Sequence, residues 1–363
     1  MKKHGQIELY QLFFLLVHVQ IGVSVVTLPY DIHLVAKGDS WISLLLTGII
    51  IQIIILLFAI LIKRYPNDHF FQITEKVFGK WIGKIISLIY TLFFISLGVF
   101  ILNKYALIIS AWMMPLTPSW ILISLVVLVS LYMVTAELPI IARFFVLVSL
   151  VFAIYISFGI YSLKDANVTY ILPIGHAGGK DVVKGVYPAI LSFVGFGTLL
   201  TFAAFTNGKP KQKIKVASIA NAFVTFIYIF IVLVTMLTLS PDEIVLVPEP
   251  VLYIVKSFTF KVIERPDLLF TSIWVVLVIT SYVLFIYVAS IGMQETFKMN
   301  KRTTATYLCV LASSVISISF KGTYILITFT NIFEIITLIF SIIIPVCIVL
   351  YVLIFDKRSK ESE

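Results

Sequence analysis

The chain has 363 residues, of which 60% are hydrophobic and 12% are charged, and its mean hydropathy is +1.08. Soluble domains carry about 25% charged residues, so this composition excludes an ordinary soluble protein and indicates an integral membrane protein. The net charge of +9 does not indicate nucleic-acid binding, because the sequence lacks a basic stripe with interleaved aromatic residues.

Hydrophobic stretches of about 20 residues, the length of a helix that crosses the hydrocarbon core, recur along nearly the whole chain. The segments between them are too short for a separate soluble domain, so we expect one polytopic membrane domain over residues 1–363. The first stretch is too long for a signal peptide and lacks a small-residue cleavage site, so it is expected to remain as the first span. The ten predicted spans are 9–35, 42–62, 85–113, 119–136, 141–163, 185–206, 215–239, 268–293, 303–320 and 324–354.

The distribution of basic residues predicts the orientation of the chain in the membrane. Placing the N-terminus in the cytoplasm puts most of the 27 Lys and Arg residues on the inner side. The positive-inside rule then places both termini in the cytoplasm and accounts for the positive net charge.

Two of the predicted spans contain residues that interrupt a helix. The first contains Gly22-Val-Ser-Val-Val-Thr-Leu-Pro29 and the sixth contains Gly195-Phe196-Gly197. Lipid cannot satisfy the backbone groups that such a break frees, so breaks are expected where they line a buried cavity. Because each half has five spans, the halves have opposite orientations, which predicts an all-α 5+5 inverted repeat with broken helices 1 and 6. The alternative is that the glycines are packing notches and Pro29 is a tolerated kink.

The first break carries polar groups suited to a small dipolar ligand. Gly22 lets the backbone approach a ligand, and Ser24 and Thr27 offer hydroxyls. Orphan carbonyls at the break would face an ammonium group or a metal cation, and the N–H groups that open the second half-helix would face a carboxylate. An α-amino acid presents both of these charges.

The second break continues as Gly195-Phe196-Gly197-Thr198, and no acidic residue occurs between Pro188 and Asn207. In this helix, carbonyl dipoles are the only groups that would hold a cationic ligand. The absence of an acid therefore favours a small neutral zwitterion. Phe196 either lines the side-chain pocket or simply packs within the bundle.

The eighth span offers further hydroxyl groups. Thr280 and Ser281 resemble oxygen donors for a small cation, and Tyr287 is placed to present its hydroxyl to a ligand. The alternative for each of them is a hydrogen bond to the preceding helical turn.

Glu334 is the most unusual ionisable residue, because it lies on the order of 15 Å from the outer end of the last span by helix rise. An intramembrane acid is a functional candidate. It gates the site, takes up a proton, or is a structural acid bonded to a residue such as Asn331 or Lys104.

Nothing in the sequence indicates catalysis, a cofactor or a metal site. Cys309 and Cys347 lie in separate apolar runs, which is typical of small buried side chains. Gly-rich phosphate loops, nucleophile elbows and paired carboxylates in a polar cleft are all missing from the sequence. An enzyme is therefore not expected.

Several segments together resemble a known family over nearly the full chain. Their order and spacing are similar to those of the B subunits of bacterial spore germinant receptors. The segments are Ala36-Lys-Gly-Asp-Ser-Trp-Ile-Ser43 after Leu28-Pro29, Tyr65-Pro66 with Phe78-Gly79-Lys80 and Gly83, Thr117-Pro118-Ser-Trp120, Ala142-Arg143, and Leu172-Pro173-Ile174 before Gly185.

The resemblance implies a LeuT-like fold within the amino acid/polyamine/organocation superfamily. It also implies a place in the spore inner membrane, beside a larger A subunit and a lipoprotein C subunit, and the sensing of nutrients such as amino acids or sugars. The pocket residues that it implies are Gly22, Leu97 or Val99, Phe196, Val283 and Tyr287. Thr198 departs from relatives with an acid just after the second-break glycine, which speaks against a ligand or ion that depends on that acid.

Two functions fit these observations. The first is a sensor that binds a nutrient between the broken helices and signals to the A subunit. The second is a transporter that moves an amino acid together with a proton or sodium ion, through Glu334 or through Thr280 and Ser281. The resemblance favours the sensor.

Overall fold

The computed structural model describes residues 5–260, 264–320 and 323–355. Within these ranges the chain is built from α-helices with short 3-10 segments, and an isolated bridge pairs Ile7 with Thr206. Some basic residues on which the predicted orientation depends, such as Lys2, Lys3 and Lys357, lie outside these ranges. The α-helices are α1 (Leu9–Gln20), α2 (Leu28–Ala36), α3 (Ser40–Arg64), α4 (Phe70–Trp112), α5 (Ser119–Thr135), α6 (Leu138–Val148), α7 (Leu150–Ser162), α8 (Gly178–Ser192), α9 (Leu199–Phe202), α10 (Pro210–Thr238), α11 (Pro241–Leu246), α12 (Pro250–Lys256), α13 (Pro266–Phe297), α14 (Arg302–Ser319), α15 (Thr323–Leu338) and α16 (Ile344–Phe355).

Every predicted span coincides with one of these helices or with an adjacent pair, so the chain is a multi-pass membrane protein. By length and composition, six helical segments of the described chain are able to cross a membrane, or seven if the bent pair of span 6 counts as one. The number of ten crossings stays a prediction. One reason is that α1 has 12 residues and α5 has 17, fewer than the roughly 20 of a full crossing.

Helix α13 lies at the centre of the bundle. All of its residues from Thr280 to Gly292 are buried, as expected of a helix that is apolar on every side. Helix α4 approaches it closely at Gly98, where an added Cβ would lie 2.9 Å from Ile286 and 3.1 Å from Tyr282. Helices α4 and α13 therefore form one packed wall of the protein.

The two broken spans pack against this wall and against each other. Helix α1 contacts α10 and α13, α2 contacts α8, and α3 contacts α8 and α10. Helix α2 of the first broken span and helix α8 of the sixth are therefore neighbours.

Candidate ligand cavity between the broken helices

The first break begins where α1 ends. Ile21 has extended backbone (φ −85°, ψ 92°), a 3-10 turn covers Val23–Val26, and α2 starts with Pro29 in its first turn. Proline fits this position because its missing N–H would have no intrahelical partner there. Gly22 is required by space, since an added Cβ would clash with the Ser281 side chain of α13.

The second break begins where α8 ends. Gly195 has φ 126°, which only glycine adopts readily. An added Cβ there would lie 2.8 Å from the carbonyl oxygen of Val19. The helical segments before and after this break differ in direction by 52°. The second break therefore lies against the last turn of α1, next to the first break, and a broken first and sixth span are confirmed.

Side-chain hydroxyls satisfy several of the carbonyls that we expected to be orphaned. Tyr228 of α10 donates to the carbonyls of Gln20 and Ser192 at 2.8 and 2.9 Å. Ser281 Oγ donates to the carbonyl of His18 at 2.7 Å, and Thr198 Oγ1 donates to the carbonyl of Gly195 at 2.7 Å. Lipid offers no donors, so the bundle supplies them itself. These carbonyls are consequently less available to a cation than the sequence led us to expect.

The amide groups of the first break are different. Within the described residues, the N–H groups of Gly22, Val23 and Ser24 donate to no backbone carbonyl. These groups open the 3-10 turn of the break, and the expectation that the N–H groups opening α2 face a carboxylate stays a prediction.

A cavity of about 290 Å³ lies beside the breaks. Its volume is near the lower end of the range of about 300–1,000 Å³ for small-molecule sites. The residues that line it come from α1, the first break, α2, α4, α8, α13 and α15. Its polar and charged lining residues are Gln20, Ser24, Thr27, Asp31, Lys104, Tyr187, Ser192, Ser281, Glu334 and Thr337.

Some of the predicted site residues come together in this cavity. Gly22, Ser24 and Thr27 line it at the first break, and Leu97 lines it from α4. Ser281 and Glu334, proposed for coupling or gating, line the same cavity.

Other predicted site residues lie elsewhere. Gly195, Gly197 and Thr198 line a second cavity of only about 20 Å³. Phe196 stacks on Phe58 of α3 with a centroid distance of 6.1 Å. Val99, Val283 and Tyr287 are buried and are not among the residues that line the larger cavity.

Tyr287 lies toward the C-terminal end of α13. Its ring lies under the guanidinium of Arg302, 4.3 Å from the ring centroid. That guanidinium in turn donates to the carbonyls of Val134, Thr135 and Ala136 at the end of α5. Tyr287 is thus part of a helix-capping contact between α5, α13 and α14.

Thr280 and Ser281 are both hydrogen-bonded to His18 of the first span. His18 Nδ1 lies 3.1 Å from Thr280 Oγ1, and His18 Nε2 lies 3.0 Å from Ser149 Oγ. The imidazole is fully buried between Phe145 and Phe152. His18 is not among the predicted site residues; its one signal in the sequence is that it is a polar residue in the apolar run before Gly22.

Asp31 and Lys104 are also absent from the predicted ligand-binding residues. Asp31 stands two residues after Pro29, in the first turn of α2, where a helix favours negative charge. Thr27 Oγ1 donates to Asp31 Oδ2 at 3.0 Å. Lys104 interacts electrostatically with Asp31 and Glu334. However, among the described residues Lys104 forms no ion pair within 4.0 Å with either acid. The side chain of Asn331, the other predicted partner of Glu334, lies outside the described part of the chain.

Segments that carry the family resemblance contact one another, or the residues beside them, around α2, α3 and α8. The Asp39 carboxylate accepts hydrogen bonds from the N–H groups of Gly175 and Ala177 at 2.7 and 3.0 Å. Ser43 Oγ donates to the carbonyl of Val182 at 2.8 Å. An added Cβ on Gly185 would lie 2.5 Å from the same hydroxyl oxygen. Helices α2, α3 and α8 are therefore joined through these motifs.

Comparison with known families agrees with the motifs. A family of spore germination proteins matches residues 6–325. The chain belongs to the spore germination protein family. Its relatives include the spore germination protein YndE of Bacillus subtilis (strain 168), 28% identical over 79% of this chain and 80% of the relative. The spore germination protein GerQB of Bacillus cereus is 26% identical over 82% of each chain.

Comparison with solved structures identifies the fold. The structure is similar to that of MhsT, crystallised in complex with L-phenylalanine, with a TM-score of 0.64 and 18% identity over 94% of this chain and 88% of the other. The fold is the LeuT-like one that the resemblance implies.

Proposed function

We propose that this spore germination protein is the nutrient-sensing subunit of a germinant receptor. In this proposal a small nutrient, in particular an amino acid, binds in the cavity beside the two breaks. The position of the cavity supports this most directly. It contacts the first broken span through Gly22 and the second through Val194, and it contacts the wall through Leu97 of α4 and Ser281 of α13.

A ligand in this position favours one arrangement of the broken spans relative to α4 and α13. It shifts that equilibrium only by the difference between its affinities for the two states. The proposed receivers of the change are a larger A-type membrane subunit and a C-type lipoprotein, in the spore inner membrane. Both termini of the chain are proposed to be cytoplasmic, as the positive-inside rule predicts.

The test uses spores in which this receptor is the only one, challenged with single nutrients. Gly22→Ala places a methyl group against the Ser281 side chain and is expected to raise the nutrient concentration for half-maximal germination by about tenfold or more, the effect of roughly 1.4 kcal/mol. Gly179→Ala is the control, because an added Cβ there meets nothing within 4 Å. An unchanged response in assembled Gly22→Ala receptor would contradict the proposal.

Coupled transport of an amino acid is the second candidate, and Glu334 favours it. This acid lines the cavity at membrane depth, where proton-coupled proteins place titratable groups. By contrast, the Thr280 and Ser281 hydroxyls already bond within the protein. Uptake by proteoliposomes separates the two candidates: accumulation driven by a proton gradient supports transport, whereas a sensor binds the nutrient without accumulating it.

A further inference from the structure

Three charged side chains from three different helices line the larger cavity. Asp31 belongs to α2, Glu334 to α15 and Lys104 to α4. All three line the same cavity. With these groups ionised, the lining combines two negative charges with one positive charge.

Contacts within the protein do not neutralise this set. Asp31 accepts one hydrogen bond from Thr27 at 3.0 Å, which is a neutral donor. Among the described residues, neither acid forms an ion pair with Lys104 within 4.0 Å. Charges inside a membrane bundle are costly unless an opposite charge or water meets them. A ligand that brings opposite charges into the cavity would supply that partner.

Gln20 gives independent evidence for a missing hydrogen-bond donor. The residue is 4% exposed and lines the cavity. Its Nε2 donates to the carbonyl of Leu16 at 2.8 Å, but its Oε1 has no hydrogen-bond partner in the described part of the chain. A buried acceptor without a donor costs free energy, and a ligand N–H group would satisfy it.

We infer that the nutrient is an amino acid with a cationic side chain, of the lysine or arginine type; this inference rests on the proposed nutrient site. Such a ligand carries two positive charges and one negative charge, the complement of the lining. Its carboxylate pairs with Lys104, and its two cationic groups pair with Asp31 and Glu334, with Gln20 Oε1 accepting an additional N–H.

Other charge classes fit this lining less well. A neutral amino acid leaves one carboxylate of the cavity without an opposite charge. An acidic amino acid adds a further negative charge. The sixth span alone favoured a neutral zwitterion, because it has no acid near its break, but the acids of this cavity come from α2 and α15.

The test measures binding of L-lysine, L-alanine and L-glutamate to the full chain in lipid nanodiscs. We expect L-lysine to bind about tenfold more tightly than L-alanine, since a close pair of opposite charges typically changes affinity by at least that factor. Glu334→Gln is expected to remove most of this preference, and Asp31→Asn to reduce it independently. Glu264→Gln is the matched control, because Glu264 is exposed and lies outside the cavity.

Three results would overturn the ligand class. They are binding of L-alanine or L-glutamate at least as tight as that of L-lysine, binding of none of the three, and a preference for L-lysine that survives both substitutions in folded protein. The proposed nutrient site is tested separately. It fails if Gly22→Ala leaves the germination response unchanged, whichever amino acid binds.

Discussion

Replacing Tyr228 with phenylalanine removes a hydroxyl that bonds to both broken spans. Tyr228 is fully buried, and its hydroxyl donates to the carbonyls of Gln20 and Ser192 at 2.8 and 2.9 Å. Phenylalanine keeps the ring and its edge contact with Phe193, at a centroid distance of 5.0 Å. The substitution therefore removes these hydrogen bonds and little else.

The expected loss of stability follows from the number and setting of these bonds. A buried acceptor without a donor costs about 1–3 kcal/mol. Interhelical hydrogen bonds in a membrane protein contribute about 0.6 kcal/mol on average and about 1.7 kcal/mol at most. Because one proton is shared between two carbonyls, we expect Tyr228→Phe to lower the free energy of unfolding by about 1–2 kcal/mol. The melting temperature of a chain of this size is then expected to fall by about 1–3 °C.

Tyr155→Phe is the matched control for this experiment. Tyr155 is 5% exposed, and its hydroxyl has no hydrogen-bond partner in the described part of the chain. Its removal is therefore expected to leave the melting temperature unchanged or to raise it slightly. Both variants are compared with the parent by thermal unfolding in the same detergent. Equal shifts for the two variants would refute the conclusion that Tyr228 stabilises the breaks.

Two further substitutions test the second break and the hydrogen bonds of Asp39 with the loop before α8. Gly195→Ala is expected to cost about 1–3 kcal/mol, because alanine is strained at φ 126°. Gly197→Ala is its control, since an added Cβ meets nothing within 4 Å, and equal melting temperatures would contradict this reasoning. Asp39→Asn replaces a buried charged acceptor of two loop N–H groups and is expected to cost about 1–2 kcal/mol, measured as faster proteolysis between residues 166 and 177. The exposed Asp242→Asn is expected to leave the cleavage rate unchanged.

The breaks were predictable from the sequence because glycine and proline act locally. Gly22 and Pro29 interrupt the first span, and Gly195 interrupts the sixth, where the structure also departs from helical geometry. The rotation of α13 was not predictable in the same way. This helix is buried on every side, so its sequence has no polar face that would show which residues reach the cavity. Ser281 and Phe285 line the cavity, whereas Val283 does not.

The charged lining depends on contacts between distant segments, which a single sequence does not show. Glu334 stood out because it lies inside an apolar span. Asp31 and Lys104 became candidate ligand-binding residues only in the structure, where α2, α4 and α15 line one cavity. The contact between His18 and Thr280 likewise joins residues that are 262 positions apart in the sequence.

The same contacts indicate which parts of the protein move together in the proposed sensor. Asp39 and Ser43 join α2 and α3 to α8 and the loop before it, and Tyr228 joins the ends of α1 and α8 at the two breaks. Helices α2, α3 and α8 therefore form the unit that we expect to respond against the wall of α4 and α13, because α1 is itself bonded to α13 through His18. A ligand can shift this unit only if it binds one arrangement better than the other. An amino acid whose carboxylate meets Lys104 on α4, while its ammonium group meets Asp31 on α2, contacts both sides of that boundary. A ligand held by the α2 side alone would bind without changing the equilibrium.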